Sequence, residues 1–285
     1  MKMFDWILIS IAFIGSFIAG LIDLKTTEIP DEIPYVMSIA GIIIHIIEAI
    51  ILKSFLPIIY SFLAGLGFLA FGFFMYYTGQ WGGGDAKILS AFGFLLARVN
   101  NDKTYFPFPL SLFFNVFFIG AIYMIVYSVV LSLKERKIWS EFSHDLKSNA
   151  GTFLLVNAGI FLFLFFTSFL AVKFLLGMKF LEIFLLQIKF LAFIMLLFII
   201  YRFSKIVEEV AFKKKIPVSM LREGDVLLES KVWEGLTKEQ VRKIKKSGVK
   251  YVWIKEGVRF GLAFPLALLF TLFLGDGIIL LMSFF

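Results

Sequence analysis

Asp23 and Asp85 are the residues of this chain best suited to chemistry. Asp23 directly follows a long apolar run, in Asp23-Leu-Lys-Thr-Thr-Glu-Ile-Pro30. Asp85 closes a run of three glycines, in Trp81-Gly-Gly-Gly-Asp-Ala-Lys87. An aspartate at the centre of a membrane span is destabilising by about 2.5–3.5 kcal/mol, and by less at the edge, so each needs a reason to be there. Two carboxylates held together share a proton and hold a water between them, which suits hydrolysis. Competing chemistry is scarce. The chain has no cysteine and only two histidines, His45 and His144, far apart in sequence. Thiolate nucleophiles, cysteine-ligated zinc and a histidine metal site are therefore not supported, and we expect no metal and no cofactor.

The elements that must position these acids follow from composition. Sixty per cent of the 285 residues are hydrophobic, 38 are phenylalanine and only 17% are charged. A soluble domain of this length needs a polar surface that such a chain lacks. Several apolar runs reach the roughly 20 residues that cross a hydrocarbon core. The pattern predicts an all-α polytopic membrane protein with about eight transmembrane helices. They are expected at Met3–Ile22, Ile33–Leu52, Phe55–Tyr77, Asp85–Ala97, Phe108–Leu133, Thr152–Leu176, Phe180–Phe203 and Phe260–Phe284. The first run lacks a cleavage site and reads as a retained span rather than a signal peptide.

One polar block interrupts the apolar pattern. Residues 202–259 hold 15 of the 28 lysines and arginines against 8 acids, an excess of +7 that equals that of the whole chain. Asp225–Glu229 and Lys250–Lys255 read as strands. A helix lies between them, with Thr237 and Gln240 forming a capping box, Leu236 and Val241 a hydrophobic staple and Gly248 the stop. The chain thus divides into a membrane domain (1–201), a small basic α+β domain (202–259) and a last membrane helix (260–285). Positive charge favours the cytoplasmic side. The basic block and the connection holding Lys134, Arg136, Lys137 and Lys147 then lie in the cytoplasm, and Asp23 and Asp85 face the same side.

Local signals refine the two sites. Three residues without Cβ allow a tight turn and the close approach of another segment. Asp85 is expected at the N-cap of the fourth helix and Asp23 at the C-terminal end of the first. The opposite partial charges of those ends make Asp85 the candidate base and Asp23 the candidate acid. Glu28, Asp31 and Glu32 form an acidic patch beside Asp23 that would attract a basic peptide; ordinary solvated acids at a helix start are the competing reading. Asp276, in Gly275-Asp276-Gly277, is expected at a turn or in a buried polar contact toward the other face. Glu48 and Lys189 fall within spans, where Lys189 can snorkel outward and pairing is one option, and Pro265 is expected to kink the last helix.

Gly82-Gly83-Gly84-Asp85-Ala86-Lys87 fits the G-x-G-D-x-K pattern of the type IV prepilin peptidases, which include the archaeal preflagellin peptidases. The stretch from Asp23 to Pro30 resembles their first motif, and the resemblance covers roughly residues 1–130. It implies a membrane aspartyl endopeptidase that cuts a short basic leader from pilin-like or archaellin precursors on the cytoplasmic side of the cell membrane. Carried over by position, Asp23 and Asp85 are the catalytic pair, Gly82 and Gly84 shape the loop, and Lys87 is a motif member. Glu28, Asp31 and Glu32 are candidates for leader binding. Many bacterial members carry a Cys-rich insertion and also N-methylate the product. The absence of cysteine and the short first connection here predict no methyltransferase activity. Expected partners are the precursor and the lipid bilayer, with no nucleic acid. Two other readings stay open. A presenilin-like intramembrane protease also uses a Gly-x-Gly-Asp turn, but expects deeper acids and a Pro-Ala-Leu element that Pro265-Leu-Ala-Leu does not match. A cation- or proton-coupled transporter would expect inverted repeats.

Overall fold

The computed structural model describes residues 3–176 and 180–282. Seven helices come first: α1 (Met3–Thr26), α2 (Glu32–Leu52), α3 (Leu56–Tyr77), α4 (Gly83–Leu96), α5 (Phe108–Lys134), α6 (Arg136–Leu176) and α7 (Phe180–Val207). A small sheet domain follows with β1 (Lys213–Pro217), β2 (Val226–Leu227), α8 (Lys238–Lys246) and β3 (Tyr251–Lys255). The chain then forms α9 (Ala263–Leu274) and α10 (Gly277–Met282). Among the described residues, six helices are long and apolar enough to cross a membrane. They correspond to the expected spans except the fourth and the last.

These two differ for physical reasons. At 14 residues, α4 is about 21 Å long and short of a hydrocarbon core. It is instead buried almost throughout, from Ala86 to Leu96, where it packs against α1, α2 and α3. Small side chains bring α3 close: Ser61 Oγ donates to Phe94 O at 2.8 Å and Ser90 Oγ to Gly65 O at 3.0 Å. The expected last span breaks at Gly275, whose φ is +80°. Asn115 bridges the break, donating to Gly275 O at 2.7 Å and accepting from Gly277 N–H at 2.9 Å. Asp276 is buried there and accepts from Tyr105 N–H, a polar contact as the sequence suggests. Pro265 kinks nothing: it sits in the first turn of α9, where its missing N–H leaves no helix bond unmade. Residues 283–284, the end of the expected span, lie outside the described residues.

Two other boundaries move. Helix α1 runs on to Thr26, so Asp23 lies within its last turn rather than beyond it. The basic connection read after the fifth helix is helical from Arg136 onward and forms the start of α6.

By contacts the chain forms two units, 1–126 with 213–285, and 127–212. In the second, α6 and α7 pair through a two-bond contact of Arg202 with Asp145 and through Gln187 with Ser168. In the first, a core built around Leu8, Met37, Trp81, Phe92, Leu95, Phe108 and Phe264 joins α1, α2, α4, α5 and α9. Glu48 finds its partner there: Arg98 donates to it at 2.7 Å, and His45 Nδ1 lies 3.1 Å from its other oxygen.

The sheet domain is antiparallel with order β1-β3-β2, pairing Lys213 with Lys255 and Leu227 with Ile254. Its small core is Leu221, Val241 and Ile254, with Leu236 and Ile244 against it. The capping box of α8 forms as expected, and Gly248 adopts φ +76°. Strand β1 was not foreseen, because Lys213-Lys-Lys-Ile-Pro shows no alternation; its pairing with β3 creates it.

Candidate active site

The end of α1 and the start of α4 meet at one cavity of about 510 Å³, within the usual range for ligand sites. Asp23 and Asp85 both line it. Thus two carboxylates 62 positions apart in the chain share a pocket.

Asp85 enters from α4, but not as its N-cap. Gly82 holds that position and Asp85 is the third helical residue, its carboxylate reaching back to accept Gly82 N–H at 3.2 Å. This is the acidic half of a capping box, which an apolar N-cap residue leaves to the acid alone. Asp23, 5% exposed, accepts Gly261 N–H at 2.8 Å. Each acid therefore accepts one backbone N–H, so the acid–base asymmetry expected from the helix ends is not carried by these bonds.

The glycines divide their work. At Gly84 an added Cβ would lie 2.7 Å from Ile29 Cβ, so this position lets the loop after α1 touch the start of α4. That contact draws the Asp23 and Asp85 segments together. Gly261 performs the same service on the other side: its Cβ would lie 3.0 Å from both Asp23 Cβ and Gly20 Cα. Only a bare backbone brings the Gly261 N–H within reach of Asp23.

Lys87 lines the same cavity, its ammonium engaged by an acid of the rim. Its ammonium lies 2.6 Å from Asp31 and 5.7 Å from the centre of the Tyr35 ring, tying α4 to the start of α2. Of the three acids proposed for leader binding, Glu28 and Asp31 line the cavity; Glu32 is exposed in the first turn of α2 and is not among the lining residues.

Sequence reasoning missed the rest of the lining. Val226, Trp233 and Gly235 from the sheet domain, with Gly257, Val258 and Phe260 from the segment that follows it, complete the cavity. A tryptophan alone in a charged loop and an Arg-Phe-Gly at the entry to the last apolar segment are the signals that could have drawn attention.

Comparison with known proteins agrees with the motifs. Residues 10–125 match the type IV leader peptidase family. The chain is 31% identical over 136 residues to a preflagellin peptidase of Methanococcus voltae, covering 44% of this chain and 56% of that protein. It is 32% identical over 116 residues to a preflagellin peptidase of Methanocaldococcus jannaschii, covering 37% and 49%. The chain thus spans about half the length of the curated relatives it matches. The family match contains Asp23, Gly82, Gly84, Asp85 and Lys87, and it ends before the sheet domain and α9.

Proposed function

We propose that this protein is a membrane-embedded aspartyl endopeptidase of the GxGD type. Its substrates would be prepilin- or preflagellin-like precursors, cut at their short basic leaders on the cytoplasmic side. The observation that carries the reading is the placement of Asp23 and Asp85 on one cavity, with the family match across both motifs in support.

The chemistry needs one protonated and one ionised carboxyl. The ionised member takes a proton from a water held between the two, and the hydroxide attacks the scissile carbonyl carbon. The protonated member gives its proton to the carbonyl oxygen as the tetrahedral intermediate forms. Collapse then breaks the C–N bond: the proton first taken from water passes to the leaving amine, and one hydroxyl proton of the intermediate returns to the carboxylate that had given its own. The pair works as a unit, and neither metal nor cofactor takes part. Glu28 and Asp31 on the rim supply negative charge for a basic leader. Only Thr27–Asp31 separate α1 from α2 and the chain has no cysteine, which supports a reading without methyl transfer.

The test is cleavage of a basic-leader precursor by the protein in membranes, comparing wild type with Asp23→Asn and Asp85→Asn. Both variants should fold and be inactive. Full activity in either ends the assignment.

A further inference from the structure

The turn that presents Asp85 is gripped from two sides. At Trp81, the ring packs against Phe117, Phe260 and Phe264, with ring centres 5.4, 6.1 and 6.1 Å away. From the sheet domain, the indole N–H of Trp233 donates to Gly79 O at 2.9 Å. Gly79 closes α3 with φ +74°, and a Cβ there would lie 2.6 Å from Lys231 O. The sheet-domain loop therefore lies directly on the backbone six residues before Asp85.

That loop is itself held rigidly. The Lys255 ammonium donates to Ser230 O at 2.8 Å and sits 4.5 Å above the Trp233 ring. Leu236 exchanges backbone bonds with Asp225 and Gly224, at 2.9 and 3.0 Å. A braced indole with its N–H used on the turn and its ring on the cavity wall does more than fill space. A side chain kept only for packing needs neither the bond to Gly79 nor the cation above it.

Resting on the peptidase reading above, we infer that Trp233 is a positioning residue. Its N–H fixes the Gly79–Asp85 turn and so the carboxylate of Asp85, and its ring forms part of the wall that substrate meets. The basic sheet domain is then part of the active site rather than only a surface for lipid headgroups. The inference predicts two separable effects. Losing the N–H should loosen the turn and slow the chemical step, whereas losing the ring should also weaken substrate binding.

The experiment compares Trp233→Phe and Trp233→Leu with wild type in precursor cleavage, with thermal unfolding measured on each. Trp233→Phe keeps a ring and drops the donor; kcat should fall about tenfold, the worth of roughly one net hydrogen bond, with KM within about twofold. Trp233→Leu should lower kcat similarly and raise KM severalfold. Lys243→Gln, on the exposed face of α8, should leave both constants unchanged. A second measurement does not depend on catalysis. Because the chain has no cysteine, Gln80→Cys provides a single reporter in the turn, and its maleimide labelling should be severalfold faster when Trp233→Phe is also present. Wild-type kcat in Trp233→Phe, unchanged labelling, or loss of the folded state in that variant, which still fills part of the space with an aromatic ring, would each overturn the inference. A wild-type protein that does not cleave precursor, with labelling that still responds to Trp233→Phe, would instead reject the peptidase reading and keep the role of Trp233 in the turn.

Discussion

The three adjacent glycines before Asp85 should respond very differently to alanine, and the difference can be worked from the structure. At Gly83 the nearest atom to an added methyl is Tyr76 Cε2 at 3.8 Å, an ordinary contact. Gly83 is the first residue of α4, so Gly83→Ala should be neutral or stabilise by up to about 1 kcal/mol through helix propensity. At Gly82 the methyl would lie 3.2 Å from Asp85 Oδ2, and alanine is a poorer N-cap than glycine. That variant should lose about 0.5–1 kcal/mol and turn over several times more slowly, because the carboxylate must give way. At Gly84 the methyl would lie 2.7 Å from Ile29 Cβ, about 1 Å inside normal carbon contact. Neither partner is the end of a flexible chain, so the loop after α1 must retreat. Overpacking of this kind costs about 1–3 kcal/mol, partly offset by helix propensity. A shift near 1 Å between the two carboxylates should lower kcat on the order of a hundredfold. Thermal unfolding and precursor cleavage on the three purified variants check the order. If Gly84→Ala matches Gly83→Ala in kcat, close approach at Gly84 does not bring the acids together, and the account of the motif fails.

Other residues separate binding from scaffold. Asp31→Asn breaks a pair with Lys87 that is half in water, so stability should change by less than about 1 kcal/mol. Combined with Glu28→Gln it should raise KM for a basic leader several times and flatten the dependence of KM on salt; an unchanged KM removes the rim acids from substrate binding. Arg98→Ala strips Glu48 of its cation inside the helices and should destabilise by about 3–5 kcal/mol, seen in thermal unfolding. It should leave kcat per folded molecule unaltered, because neither residue lines the Asp23–Asp85 cavity.

The parts of the molecule legible from the chain were those written in local sequence. Apolar runs of span length marked six helices, and Thr237 with Gln240 marked the start of α8. The two acids were legible because charge beside an apolar run needs an explanation and the surrounding residues form a motif. What stayed hidden depended on contacts distant in sequence. Asp85 was read as an N-cap because it follows the glycines, but Gly82 takes the extended backbone that a cap requires, with ψ 156°. Helix α4 read as a span because it is apolar, whereas its apolar face is used up by α1, α2 and α3. Nothing in the residues around Gly275 shows that Asn115 will bridge a break there, since the two are 160 positions apart.

The distribution of partners around Asp23 and Asp85 has a consequence for how the site is built. The segment that matches the leader peptidase family contains both acids, yet it does not contain the donor to Asp23, which is Gly261. Nor does it contain the wall made by Val226, Trp233, Val258 and Phe260. Residues 1–126 alone would leave a buried carboxylate without its hydrogen bond, a loss worth about 1–3 kcal/mol and more for a charged group. They would also open the cavity along one side, and water admitted there weakens every electrostatic interaction within it. The sheet domain leads directly into Gly261, and its Trp233 reaches the turn before Asp85. A single segment late in the chain thus touches both halves of the carboxylate pair. Besides the Gly84–Ile29 contact, residues 226–261 add a second link between the two motifs.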